Sequence, residues 1–201
     1  NTPTYAPIYD PENPEYYYTN FYGVSNITHP LENIERYKNQ YNKQHRLLAT
    51  AKGIVTLYDT KKFNRGDNYN HSLKFTTTYT EDLRMNHSTS FLDPHKTSWG
   101  RNQYGEASDT RSTDLVTVWD NVLNYNTNMN GHNLDLMLGS SYTHSMWTQS
   151  YIAGSHFADG TIQTLNAANK IDPGSTNTSA SEWAIMSGFA RVSYNYDSRY
   201  L

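Results

Sequence analysis

Hydrophobic and polar residues alternate with a period of two along five stretches of the chain. Between Arg46 and Tyr58, Leu47, Ala49, Ala51, Gly53, Val55 and Leu57 fall on one side. Arg46, Thr50, Lys52 and Thr56 fall on the other, where Leu48 and Ile54 blur the polar face. Leu73, Phe75, Thr77 and Tyr79 alternate with Ser72, Lys74, Thr76 and Thr78. Leu115, Thr117, Trp119, Leu123 and Tyr125 alternate with Asp120 and Asn124, joined by Val116, Val118 and Val122. Leu134, Leu136, Leu138 and Tyr142 oppose Asn133, Asp135 and Ser141. Ala184, Met186, Gly188, Ala190, Val192, Tyr194 and Tyr196 oppose Ser187, Arg191, Ser193 and Asn195. Such alternation predicts half-buried strands, near 46–58, 71–81, 115–126, 133–143 and 183–196.

The connections between these stretches alternate in length. Asp59–Asn70, Thr127–His132 and Asp197–Arg199 are short, and Asn130-Gly131 is a strong hairpin signal. A polar leader over 1–45 and the segments 82–114 and 144–182 are long. Compact soluble domains seldom carry structureless loops beyond about 12–15 residues. Short turns at one end and long loops at the other are the layout of an outer-membrane β-barrel, whose tilted strands need about 9–11 residues to cross. Tyr and Trp near strand ends fit its aromatic girdles. A soluble β-sandwich also alternates apolar and polar residues, so the pattern alone leaves both open.

Composition narrows the choice. The 36% hydrophobic fraction includes 18 tyrosines, and Leu, Ile, Val and Phe together make up only about 17% of the chain, where disordered chains lie. Yet the net charge is −3 and aromatics reach 14%, which is not the charged, aromatic-poor signature of disorder. The expectation is a sheet with a thin apolar face rather than a thick two-layer core. Sixteen basic and 19 acidic residues, mixed along the chain, give no footprint for nucleic acid. The absence of Cys removes disulfides, thiolate zinc sites and cysteine nucleophiles. No stretch approaches the roughly 18 apolar residues of a membrane helix. The chain opens at Asn1 without an initiator Met or signal peptide and stops at Tyr200-Leu201 as an apolar segment begins. It reads as a piece of something longer.

Three stretches carry a family resemblance. Asn124–Tyr142 resembles the hairpin of SusC/RagA-type TonB-dependent outer-membrane transporters. Ser181–Leu201 resembles that family's "S…LLSYFGRVNYxYxxRYLL" ending, although Gly188-Phe189-Ala190 replaces the usual aromatic-Phe-Gly order. The Asn33–Tyr58 segment is similar to the strand that follows the family's "NPL" loop.

The resemblance implies an all-β fold, an antiparallel transmembrane barrel of about 22 strands. This chain would supply about five of them and the start of a sixth, with 1–45, 82–114 and 144–182 as extracellular loops. It implies an integral protein of the bacterial outer membrane that imports glycans or peptides. The implied partners are a SusD/RagB-like surface lipoprotein acting as a lid, the rest of the barrel and its plug, the lipid bilayer, and TonB through a region outside this chain. Plug and TonB-contacting motif are not found in these residues. A secreted β-sandwich that binds glycans, or a surface adhesin, is the competing reading.

Catalytic and metal motifs are missing from the sequence. Asn126–Gly131 mimics the start of a calcium loop, but Met137 stands where that loop needs a bidentate carboxylate. Eight His residues never adopt a tight ligand spacing. Arg65-Gly66-Asp67 and the sequons at Asn26, Asn86 and Asn177 are products of composition. No enzyme, cofactor or metal is expected. The candidate ligand contacts are the loop aromatics Tyr16, Tyr17 and Tyr18 (with Phe21 and Tyr22 beside them), Trp99 with Tyr104, and Trp147 with Tyr151. Their flat apolar faces beside Asn, Gln and Asp suit sugar rings or peptides. The plainer reading of the same rings, that they pack the loops together or meet a lid, is the preferred one.

Overall fold

A computed structural model describes residues 7–18, 29–60 and 69–196 of the chain. Phe21, Tyr22, the Asn26–Thr28 sequon, Arg65-Gly66-Asp67, the Asp197–Arg199 turn and Tyr200-Leu201 lie outside them. The elements in order are α1 (Pro30–Lys38), β1 (Tyr41–Asp59), β2 (Tyr69–Leu92), α2 (Ser98–Gln103), β3 (Glu106–Met129), β4 (His132–Ser155), a 3-10 turn (Leu165–Ala167), β5 (Lys170–Ile171) and β6 (Asn177–Tyr196). The fold is all-β at its centre, one six-stranded sheet in the order β1-β2-β3-β4-β5, with β6 also paired to β4. No pairing closes β6 onto β1 among the described residues.

The five long strands lie on the five alternating stretches but run well past them. β2 continues to Leu92 and β4 to Ser155, while β3 begins at Glu106 and β6 at Asn177. Much of 82–114 and 144–182 is therefore strand rather than loop. The extensions are polar on both sides, as in Asn86-His-Ser-Thr-Ser90 against Ser108-Asp-Thr-Arg-Ser112. Backbone ladders do not need an apolar face, so pairing persists after hydrophobic periodicity stops. The leader likewise holds structure: α1, capped by His29 Nδ1 accepting the Leu31 N–H at 3.1 Å with Pro30 in its first turn. A sixth strand, β5, adds to β4 at Gly154 and Ser155; the expected start of a strand at the C-terminal end lies outside the described residues.

The chain divides into two compact units. One comprises 46–84, 114–147 and 181–201. Its register brings all five apolar series onto one face of the sheet. Trp119 Nε1 donates to Thr77 Oγ1 at 2.9 Å, and Gly53 lies against Thr77. His132 Nδ1 bonds the Tyr194 hydroxyl at 2.7 Å. The polar series meet on the other face: Arg46 donates twice to Asp82, at 2.8 and 2.9 Å, Ser141 donates to Asp120, and Asn133 donates to Asn195 at 2.8 Å. No second layer covers the apolar face among the described residues. Leu47 is 63% exposed, Val192 70% and Met186 80%.

Turn chemistry sets this register. Asn130 and Gly131 both have positive φ, 48° and 84°, the signature of the two-residue hairpin turn that Asn-Gly favours. On the polar face Gly139 lies under the ring of Phe189, where a Cβ would sit 2.2 Å from ring carbons. An aromatic on β6 thus covers the gap left by a glycine on β4.

The other unit comprises 1–45, 85–113 and 148–180 and holds the buried core. Phe91 and Phe157 pack edge to face at 5.1 Å, with Ala107 buried beside them and Leu165, Ala167 and Ala168 closing the cluster. The segment after β4 folds back through Phe157 N–H to Tyr104 O at 2.8 Å and Asp172 N–H to Ala153 O at 2.9 Å. Among the described residues no helix is long and apolar enough to cross a membrane, which says nothing of strands.

Candidate functional site

Three of the aromatics singled out in the sequence gather on the core-bearing unit. Residues 7–18 form a small hairpin, bridged at Tyr9 and Tyr17, whose rings stack at 5.5 Å; Tyr17 also stacks on His29 at 5.7 Å. Burial first, and then the charge of Glu35, raises the Tyr17 phenol above its usual range. The Arg101 guanidinium lies 3.9 Å over the Tyr16 ring, and Arg36 lies 5.2 Å from Trp99 and 5.7 Å from Tyr37. Two arginines, one from each helix, therefore join Tyr16 and Trp99 into a platform of rings and guanidinium groups.

A buried carboxylate holds the two helices together. Glu32 is 1% exposed, and its Oε1 accepts both the backbone N–H and the hydroxyl of Ser98 at the start of α2. Its Oε2 has no partner among the described residues. Thr97 caps the same helix by accepting the Gly100 N–H at 2.9 Å. Asp93 precedes it in a turn that accepts the His95 and Lys96 N–H groups. Trp99 thus projects, half exposed, from a short helix whose position is fixed at its first residue.

The remaining candidates do not join this platform. Tyr18 donates its backbone N–H to Ile8 O at 3.0 Å. Tyr104, in the left-handed region at φ 55°, ends α2 and meets the His156 ring in a tilted contact at 5.1 Å. Trp147 and Tyr151 are not loop residues: both are half-buried on β4, and their spacing puts them on the same face as Asp135 and Ser141.

A second polar locus was hidden in the sequence. A groove of about 500 Å³ on the unit with the apolar face is lined by Asp59, Lys74, Asn126, Asn128, Asn133 and Asn195, among others. Asparagines near Asn130-Gly131 read as turn residues in one dimension. The pairing of β3, β4 and β6 brings them together as one amide-rich surface, with Asn128 donating to Asn133 and Asn133 to Asn195. A carboxylate, an ammonium and several amides can hydrogen-bond peptide groups or sugar hydroxyls. No cluster of His, Asp and Glu among the described residues could hold a metal.

Outside the expected membrane-crossing stretches, carboxylates are held ionised by local donors. Burial works to raise Asp109, but hydrogen bonds from His87 (2.8 Å) and Arg111 (3.1 Å) win and lower it. The Ser175 hydroxyl and Gly174 N–H lower Asp172 in the turn after β5.

No family model and no curated protein matches the chain. Solved structures do. The RagAB peptide importer in its open-open state aligns with a TM-score of 0.61 at 17% identity over 98% of this chain and 20% of that one. Its closed-closed state gives 0.59 at 16% identity over 98% and 20%. A further structure of the RagAB peptide transporter gives 0.55 at 16% identity over 80% and 17%. The chain spans about a fifth of the length of the chains it matches, and at these identities the likeness is one of fold.

Proposed function

We propose that this chain is part of the wall and outer loops of an outer-membrane nutrient importer. The observation that carries the reading is the register: five apolar series converge on one uncovered sheet face, while their polar partners share the other. In water such a face is a liability; in a bilayer it is the expected surface of a barrel strand, apolar outward and polar inward. Rows of rings bound the face. Tyr79, Trp119 and Tyr142 lie along one edge, and Tyr125 and Tyr194, each hydrogen-bonded to a histidine, lie along the other.

In this reading the Asn130-Gly131 turn faces the periplasm and the long connections face outward, where Tyr16, Trp99 and their arginines meet solute or a SusD-like lid. The fold likeness to a peptide importer supports transport, and TonB-derived energy belongs to the same reading. Peptides are favoured over glycans, because the amide-rich groove and the guanidinium-ring platform match backbone amides and terminal carboxylates. The test replaces Trp99, Trp147 and Tyr17 singly by Ala in the full-length transporter, confirms assembly, and measures binding of short peptide and oligosaccharide pools. Loss of peptide binding in one or more variants is expected; unchanged binding in all three assigns the rings to packing within the fold or to lid contact.

A further inference from the structure

The apolar face carries one feature that a plain hydrocarbon-facing wall does not need. Trp119, Asn121, Ser140, Tyr142 and Met186 line a groove of about 470 Å³ on it. Asn121 and Ser140 sit opposite each other on β3 and β4, and neither side chain has a hydrogen-bond partner among the described residues. On the next strand Gly188 shares the face of Met186 two residues away, and a Cβ there would meet nothing within 4 Å. Trp119 (49% exposed), Tyr142 (38%) and Met186 (80%) stand up around it.

We infer that this groove binds a bilayer lipid, with one acyl chain lying in the groove and its ester or amide linkage hydrogen-bonded to Asn121 and Ser140. The inference rests on the membrane reading above. An amide and a hydroxyl facing hydrocarbon unpaired cost free energy, and a lipid's linkage region supplies both acceptors and an apolar tail. The groove lies on the Trp119–Tyr142 row, the level at which aromatic rings mark the boundary of headgroups and chains. A second copy of the chain would require a self-complementary surface, whereas this one is concave and rimmed by projecting side chains. Met186, unbranched and polarizable, can follow an irregular chain.

The test uses the full-length barrel in vesicles of phosphatidylethanolamine containing a fraction brominated on its acyl chains, which quenches nearby tryptophan. The Trp119 signal is the difference between the native protein and Trp119→Phe. Val192→Trp in the Trp119→Phe background reports a position on the same face away from the groove. Trp119 is expected to show a relative association with brominated lipid about threefold above the Val192→Trp reference, the ratio one net hydrogen bond supplies. The excess should vanish in Gly188→Tyr, and also in the Asn121→Leu/Ser140→Ala double variant, which keeps the wall intact should Gly188→Tyr fail to assemble. Quenching of Trp119 at the reference level in the native protein, or an excess that survives both variants, overturns the site while leaving the membrane reading standing. An unquenched Val192→Trp overturns both. Shielding of Trp119 beside a quenched reference, with Ser140→Cys crosslinking between copies, replaces the lipid by a second copy.

Discussion

At the residue scale, neighbouring positions on one strand have opposite duties. Leu136 belongs to the apolar series and Asp135 to the polar one. With the apolar face in lipid, Leu136→Arg costs about 2–4 kcal/mol at mid-band, whereas Asp135→Asn is nearly neutral; urea titration of the barrel in vesicles measures both. Gly139 is a sharper case. Any side chain there collides with the Phe189 ring, so Gly139→Val is expected to lose about 1–3 kcal/mol through overpacking. The same change in a Phe189→Ala background should lose clearly less, because the two sites share one space. Additive losses would mean that Phe189 does not cover Gly139. The Gly and the Phe are each readable in the sequence, but they lie fifty residues apart and nothing one-dimensional links them.

At the element scale, the polar extensions of β2 and β3 are tied by side chains rather than by a core. Ser90 bonds Ser108 at 2.7 Å, Asn86 bonds Ser112 at 3.3 Å, and Asp109 takes His87 and Arg111. The Asp109 carboxyl is lowered in the folded state. Its contribution is therefore fully present above its unfolded value, about 3.9, and is lost as pH falls through the folded one. Amide exchange across 86–92 and 106–112 should accelerate in that acid window, and Asp109→Asn should flatten the dependence. The α1–α2 junction depends on Glu32. Glu32→Ala removes the acceptor for two Ser98 donors and is expected to open 93–104 to limited proteolysis, at a cost of about 1.5–3 kcal/mol. Cleavage unchanged from the native protein would assign the position of α2 to its ring contacts alone. These elements were missed in the sequence for a common reason: hydrophobic period was the signal, and it is absent where both faces are wet.

At the scale of the whole molecule, β1 and β6 end the sheet with unpaired edges among the described residues. Hydrogen-bonding edges beside an exposed apolar face favour association in water and cost several kcal/mol per unpaired group in lipid. Expressed alone, the chain of 201 residues should aggregate or require detergent. A monomeric, cooperatively melting species in plain buffer would remove the barrel reading and restore the soluble sandwich.

What the amino-acid sequence determined by itself was the class of structure and the two faces of each strand, because side chains in a strand alternate whatever the strand is paired with. It also determined the Asn130-Gly131 turn, since positive φ at successive residues is a local property. Register and depth belonged to the tertiary structure. Only pairing could show that the five apolar series share one face, that Asn126, Asn133 and Asn195 form a single surface, and that Trp147 and Tyr151 are strand rather than loop. Only the fold could bring Arg36 and Arg101 onto the rings of Trp99 and Tyr16, and Asn121 beside Ser140 and Gly188 in an apolar setting. Strand pairing is non-local: its partners are chosen by hydrogen bonds between segments tens of residues apart, and no period within one segment encodes that choice.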